Sequence, residues 1–285
     1  MKTAAKYLLG GVVLAMAGGA PAMAADIYEP DIVEVPEYVP AVVSGWYLRG
    51  DIGMSNQTLE GGLYNVLFDT TDIVEFLDPG GFSSAPIFQV GVGYQFNNWM
   101  RADLIAQYRG AADFSALDRY ETVDDANPAT FDGTNDYTGK KSEWLVMANA
   151  YVDMGTIRGV TPYIGAGLGA SRNTITNFRD VNVPAAGVAY GATQSVWNLA
   201  WALHAGLGFE VNDRLTLDLS YSYLHLGDAQ SGDLIPYVGP NTIYNPMVFN
   251  DIRSHDIKLG LRYKFGGSAQ PAPAVYQTDP LPVYK

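Results

Sequence analysis

The sequence predicts an all-β fold, an eight-stranded antiparallel up-and-down transmembrane β-barrel. Three observations predict it. Eight segments of about ten residues alternate apolar and polar side chains, the periodicity of a two-faced strand. The links between them alternate short and long, as they do when one rim carries turns and the other carries loops. Beyond the first 24 residues no run reaches the roughly 18 apolar residues of a membrane helix, so a chain that crosses a bilayer must cross it with strands.

The chain ends set the compartment. Lys2 and Lys6 precede an apolar stretch from Tyr7 to Ala17, and Ala22-Met23-Ala24 is a small-x-small cleavage site. Residues 1–24 therefore read as a secretory signal cut after Ala24. A spanning helix fits less well, because Gly18-Gly19 and Pro21 break the run. Loss of the two lysines leaves a mature chain still more acidic than the full-length net charge of −13. Nucleic acid is excluded as a partner, since phosphate binding needs a basic footprint. The absence of cysteine excludes disulfides and thiolate metal sites.

Residues 25–44, with three prolines and five acids, read as an extended linker, and residues 266–285 as a similar Pro-rich tail. Between them, residues 45–265 form the barrel domain.

The segments follow in order. In "WYLRGDIG", Trp46, Leu48 and Ile52 oppose Tyr47, Arg49 and Asp51. "IFQVGVGYQF" sets Phe88, Val90, Val92, Tyr94 and Phe96 against Gln89, Gly91, Gly93 and Gln95. "MRADLIAQYR" sets Met100, Leu104 and Tyr108 against Arg101, Asp103, Gln107 and Arg109, with Ile105 out of phase. "EWLVMANAYVDM" opposes Trp144, Val146 and Val152 to Glu143, Asn149, Tyr151 and Asp153, with Leu145 and Met147 as exceptions. "TPYIGAGLGAS" alternates Ile164, Ala166 and Leu168 with glycines. "WNLAWALHAGLGFEV" sets Trp197, Leu199, Trp201 and Leu203 against Asn198, His204 and Glu210. "LTLDLSYSY" alternates Leu215, Leu217, Leu219 and Tyr221 with Thr216, Asp218 and Ser220. "DIKLGLRYKF" closes the set, Asp256, Lys258, Arg262 and Lys264 opposing Ile257, Leu259, Leu261 and Phe265.

Tight turns are expected at 97–99, 155–160 and 212–214, and long polar loops at 110–142, 172–196 and 227–254. Eight strands place both termini on the short-turn rim, predicted periplasmic, with the long loops extracellular.

The apolar face is assigned to lipid because strands of this length cross a bilayer when tilted, and because aromatic residues gather at their ends on that face. The polar face then lines the lumen. It carries Arg49, Arg101, Arg109, Lys258, Arg262 and Lys264 against Asp51, Asp103, Glu143, Asp153, Glu210, Asp218 and Asp256. Eight strands leave room only for side chains, so a lumen closed by ion pairs is expected, with at most a very narrow pore.

"GWYLRGDIG", "VGVGYQF", "PYIGAGLGAS" and the last strand together resemble the small opacity-protein-like, porin-like outer-membrane β-barrel proteins of alphaproteobacteria, over residues 45–265. The resemblance implies roles in envelope integrity and surface contact rather than catalysis. It also implies recognition by the outer-membrane barrel assembly machinery through Lys258, Gly260, Tyr263 and Phe265, although 20 residues follow the terminal Phe. Attachment of a mature Ala25-Asp26 N-terminus to peptidoglycan is implied for some relatives. The expected surroundings are outer-membrane lipid and lipopolysaccharide, around a monomer or weak homo-oligomer. The alternatives are a haem-like ligand-binding or adhesive surface protein acting through its loops, a lipid-A-modifying barrel enzyme, and a soluble lipocalin-like barrel.

Other motifs lead to ordinary readings. Arg49-Gly50-Asp51 spells an adhesion tripeptide, but mid-strand its charges face the lumen. Gly165-x-Gly167-x-x-Ala170 lacks the helix that a dinucleotide fingerprint requires. Ser254 and His255 are strand neighbours and point apart. The acidic residues at 60–78 and 113–136 lack the spacing of a calcium loop and read as solvated. No cofactor, metal or catalytic residue is expected.

Overall fold

The chain is described by a computed structural model over residues 44–122, 132–183 and 187–265. The predicted leader, linker, Ala25-Asp26 and C-terminal tail lie outside the described residues. Twelve strands form in order: β1 (Gly45–Leu59), β2 (Leu63–Tyr64), β3 (Thr71–Phe82), β4 (Ala85–Gln95), β5 (Met100–Thr122), β6 (Gly133–Asp153), β7 (Val160–Asn182), β8 (Gly187–Gly191), β9 (Gln194–Glu210), β10 (Leu215–Gln230), β11 (Leu234–Pro236) and β12 (Val248–Phe265). A short 3-10 turn, Val66–Thr70, precedes β3.

All pairings are antiparallel, and eight strands close into a ring in the order β1, β4, β5, β6, β7, β9, β10, β12 and back to β1. Closure pairs Trp46 with Phe265 and leaves no sheet edge in this part of the molecule. The other four strands add at one end, β3 on β5, β8 on β7, β11 on β8 and β2 on β12.

The tight turns lie at the end holding Gly45 and Phe265. At two of them an asparagine carboxamide caps the chain: Asn97 Oδ1 accepts from the amides of Trp99 and Met100 at 3.0 and 2.8 Å. Asn212 Oδ1 does the same for Arg214 and Leu215 at 3.0 and 2.9 Å. The third turn uses left-handed backbone at Gly155, Arg158 and Gly159.

The opposite, far end departs from expectation. Most of 110–142, predicted as loop, is strand: β5 runs on to Thr122 and β6 starts at Gly133. Likewise β7 reaches Asn182 and β12 starts at Val248. The reason is an inversion of polarity. Near the termini the outward residues are apolar, for example Trp144, Val146 and Val152 on β6, all about half exposed. Beyond Trp144 the outward side of that strand carries Ser142, Lys140, Thr138 and Asp136, while Tyr137 faces inward.

The switch coincides with backbone irregularities. Between Arg109 and Ala112 one extra residue on β5 moves the inward phase from odd to even positions. Extra residues near Asn177 on β7, Gly227 on β10 and Asp251 on β12 likewise switch the inward phase of their strands. These three adopt φ values of 51°, 71° and 51°, a conformation that Gly, Asn and Asp tolerate best. Inside the far end, Phe82, Phe114, Phe178 and Phe249 pack with Tyr137. The Phe114 and Phe249 rings meet edge to face at 4.9 Å.

Candidate functional site

Strand alternation sends every second side chain of the ring inward, and the polar face of the sequence lands there. Eleven of the thirteen predicted luminal charges are buried: Arg49, Asp51, Arg101, Asp103, Arg109, Glu143, Asp153, Asp218, Asp256, Lys258 and Arg262. Two are not. Glu210 is exposed and Lys264 partly so, because both occupy the last rungs beside the turns, where the lumen opens to water. Lys141, assigned to a loop in the sequence reading, is buried instead and completes a set of six cations and six anions. Its signal was present: Lys141 continues the phase of Glu143 by one further step.

The charges form local sets. Nearest the termini, the Arg49 guanidinium donates to Asp51 at 2.7 Å and to Asp103 at 2.9 Å. Arg101 Nε donates to Asp153 at 3.0 Å, and Arg262 pairs with Asp218 at 2.5 Å. Among the described residues the other guanidinium nitrogens of Arg101 have no hydrogen-bond acceptor. Its guanidinium instead lies 4.2 Å from the centre of the Tyr151 ring and 4.3 Å from that of Tyr163, a cation between two π faces.

Further in, Lys258 Nζ approaches Gln89 Oε1 at 3.4 Å. Above it Arg109 bridges Asp256 at 2.8 Å and Glu143 at 3.4 Å, while Lys141 Nζ reaches Glu143 at 2.7 Å and Gln57 at 2.8 Å. Ile105, Leu145 and Met147, out of phase in the sequence reading, are buried among these groups.

Glycines make space for the bulky interior. Tyr47 lies across from Gly93, Tyr151 from Gly165 and Tyr163 from Gly206. A Cβ on Gly93 would sit 2.2 Å from the Tyr47 ring, so the ring needs a glycine beneath it.

The tempting motifs resolve. Gly165 and Gly167 sit within β7, which continues as strand to Asn182. Arg49 and Asp51 of the Arg-Gly-Asp tripeptide are buried and bonded to each other. Ser254 faces inward and donates to Asp256 at 2.6 Å, while His255 points out and meets the Tyr221 hydroxyl. His204 lies between Ser222 Oγ at 2.8 Å and Asn149 Oδ1 at 3.0 Å, a buried set of three that satisfies its own polar atoms. Of the acids read as solvated, Asp118 and Glu121 are in fact buried, because β5 continues through them and turns them inward or against neighbours. Lys258 and Gly260 of the predicted assembly signal line the interior, whereas Tyr263 and Phe265 face out. Among the described residues no group of three or more His, Cys, Asp or Glu is placed to hold a metal ion.

A closed ring with apolar aromatic outer walls and a charged interior is the inverse of a soluble barrel. The family model for the outer membrane protein beta-barrel domain matches residues 11–265. The chain belongs to this family. An uncharacterized protein of Brucella suis is 32% identical over 268 residues, covering 86% of this chain and 93% of its own length. The outer membrane protein PagN of Salmonella typhimurium is 27% identical, covering 78% of this chain and 90% of its own. A Rickettsia bellii protein named as a candidate adhesin is 23% identical, covering 76% and 87%. Among solved structures, neisserial surface protein A superposes with a TM-score of 0.44 at 16% identity, covering 78% of this chain and 99% of that one. The barrel thus takes its place in the cell outer membrane.

Proposed function

We propose that the chain is an eight-stranded up-and-down transmembrane barrel with a closed lumen, and that it serves the envelope as a structural and surface-contact protein through its far end. The observation that carries this reading is the reversal of polarity along one continuous sheet. Where the outer wall is apolar the interior is ionic, and where the outer wall is polar the interior is a phenylalanine core. Hydrocarbon fits the first part and water the second, so the far end stands clear of the bilayer as a rigid platform rather than as loose loops.

In this reading the tight turns and both termini face the periplasm and the far end faces outward. The wall contacts outer-membrane lipid and lipopolysaccharide, Lys258, Gly260, Tyr263 and Phe265 address the barrel assembly machinery, and a mature Ala25-Asp26 N-terminus would tether the barrel to peptidoglycan. The adhesion-related name of the Rickettsia relative and the outward platform favour contact with other surfaces as the role of the far end.

Two measurements test the proposal. In planar bilayers the purified barrel gives no stable large conductance; an open-channel trace would contradict the closed lumen. In cells lacking the protein, the full chain restores attachment or autoaggregation, while a variant whose β5–β6 hairpin is cut back beyond Ala112 reaches the membrane but does not restore it. Equal behaviour of the two would contradict the contact role.

A further inference from the structure

We propose that a cavity in the far end, floored by Asp118 and Asp180, binds a small free organic cation, an ammonium or guanidinium group carried on an apolar body. The cavity measures about 290 Å³, near the lower bound of ordinary small-molecule pockets. It lies between β5, β6, β7, β8 and the 3-10 turn, far from the luminal charges.

Its floor is anionic and uncompensated. The Asp118 side chain is fully buried, its Oδ1 accepting from the Asn135 amide and carboxamide at 3.0 Å each, and its Oδ2 from the Tyr137 hydroxyl at 2.8 Å. Asp180 stands close enough to feel the Asp118 charge, and its Oδ1 is shielded from water with no hydrogen-bond partner among the described residues. Among the described residues no Lys, Arg or His lines the cavity. A buried carboxylate oxygen without a donor is costly, and a cationic N–H donor is the group that would relieve it.

The walls select the rest of the ligand. Phe68, Val74, Val188 and Pro236 present carbon, so the lining is chiefly apolar apart from the floor. A bare divalent metal would require six or more oxygens and would keep water, which these walls cannot supply. An anion would meet two carboxylates. Burial together with the neighbouring Asp118 pushes Asp180 up to about 7, so an arriving cation would hold it ionised. The site stands whether or not the far end faces out of the cell.

The test is calorimetric titration of the refolded full chain in detergent with 2-phenylethylamine and with its neutral counterpart 2-phenylethanol. The amine should bind saturably at pH 8, and the alcohol at least about tenfold more weakly, a difference of about 1.4 kcal/mol. Asp180→Asn, which keeps the size and removes the charge, should weaken amine binding by a similar factor, as should lowering the pH to 5. Val188→Trp, which fills the cavity, should abolish it, with heat-modifiable migration confirming that both variants fold. Absence of amine binding, equal binding of the alcohol, or unchanged binding by Asp180→Asn would overturn the proposal.

Discussion

Arg109 shows what each luminal charge is worth. Its guanidinium is the shared partner of Asp256 and Glu143, and all three side chains are fully buried. Removing one member of such a set leaves unpaired charge in a dry interior, which costs about 3–5 kcal/mol. Arg109→Met should therefore destabilise the folded barrel by that amount in urea titrations in lipid vesicles, and adding Asp256→Asn should recover much of the loss, because Glu143 keeps Lys141 at 2.7 Å. An equal loss in the double variant would mean that packing, not charge, is at stake. At the far end Asp180 behaves differently. Its raised folded-state pKa means that folding favours the protonated carboxyl, so its contribution is fully present below the ordinary carboxylate range near 4 and is lost as the pH rises through about 7. Amide exchange in β7 and β8 should quicken from pH 5 to pH 8 beyond the intrinsic pH dependence of exchange, and Asp180→Asn should remove that excess. Pocket amides with the same excess in both proteins would contradict this.

Among the elements, the strands nearest the termini were legible in the sequence and the far-end strands were not. Alternation in "DIKLGLRYKF" reports both faces at once, because lipid and lumen differ as sharply as two solvents can. From Ala112 onward β5 meets water outside and phenylalanine inside, and the bulges at Asn177, Gly227 and Asp251 shift the phase of β7, β10 and β12. A reader following one phase loses the strand there and reports a loop. Lys141 is hidden in the sequence because its outward neighbours Ser142 and Lys140 are polar, which ends the alternation although the phase of β6 continues, while Glu210 and Lys264 were over-assigned because alternation says nothing of where a lumen ends. The glycines opposite luminal tyrosines were legible only as composition; their pairing needed the register. That pairing is testable. Gly93→Val should lower the folded, heat-modifiable fraction because the new Cβ overlaps the Tyr47 ring, and the double variant with Tyr47→Ala should restore it. Failure of the second change to rescue the first would place the defect in the backbone.

At the scale of the whole molecule, one sheet serves two solvents. In the bilayer part the hydrophobic effect acts on the outer wall and the interior must satisfy its own charges; in the far end it acts on the interior, as in any water-soluble domain. The level of the change is set on β6 near Trp144, whose strand partners are Tyr108 and Arg172, side chains suited to the headgroup zone. Because the chain has no cysteine, single cysteines can be placed at will along the outer face of β6 and labelled with an environment-sensitive dye. The account predicts that labels at 146, 148, 150 and 152 are quenched by a lipid-borne quencher, and those at 136, 138 and 140 by a water-soluble one, with the crossover beside residue 144. Water-soluble quenching along the whole series, or lipid quenching that continues to 136, would contradict it.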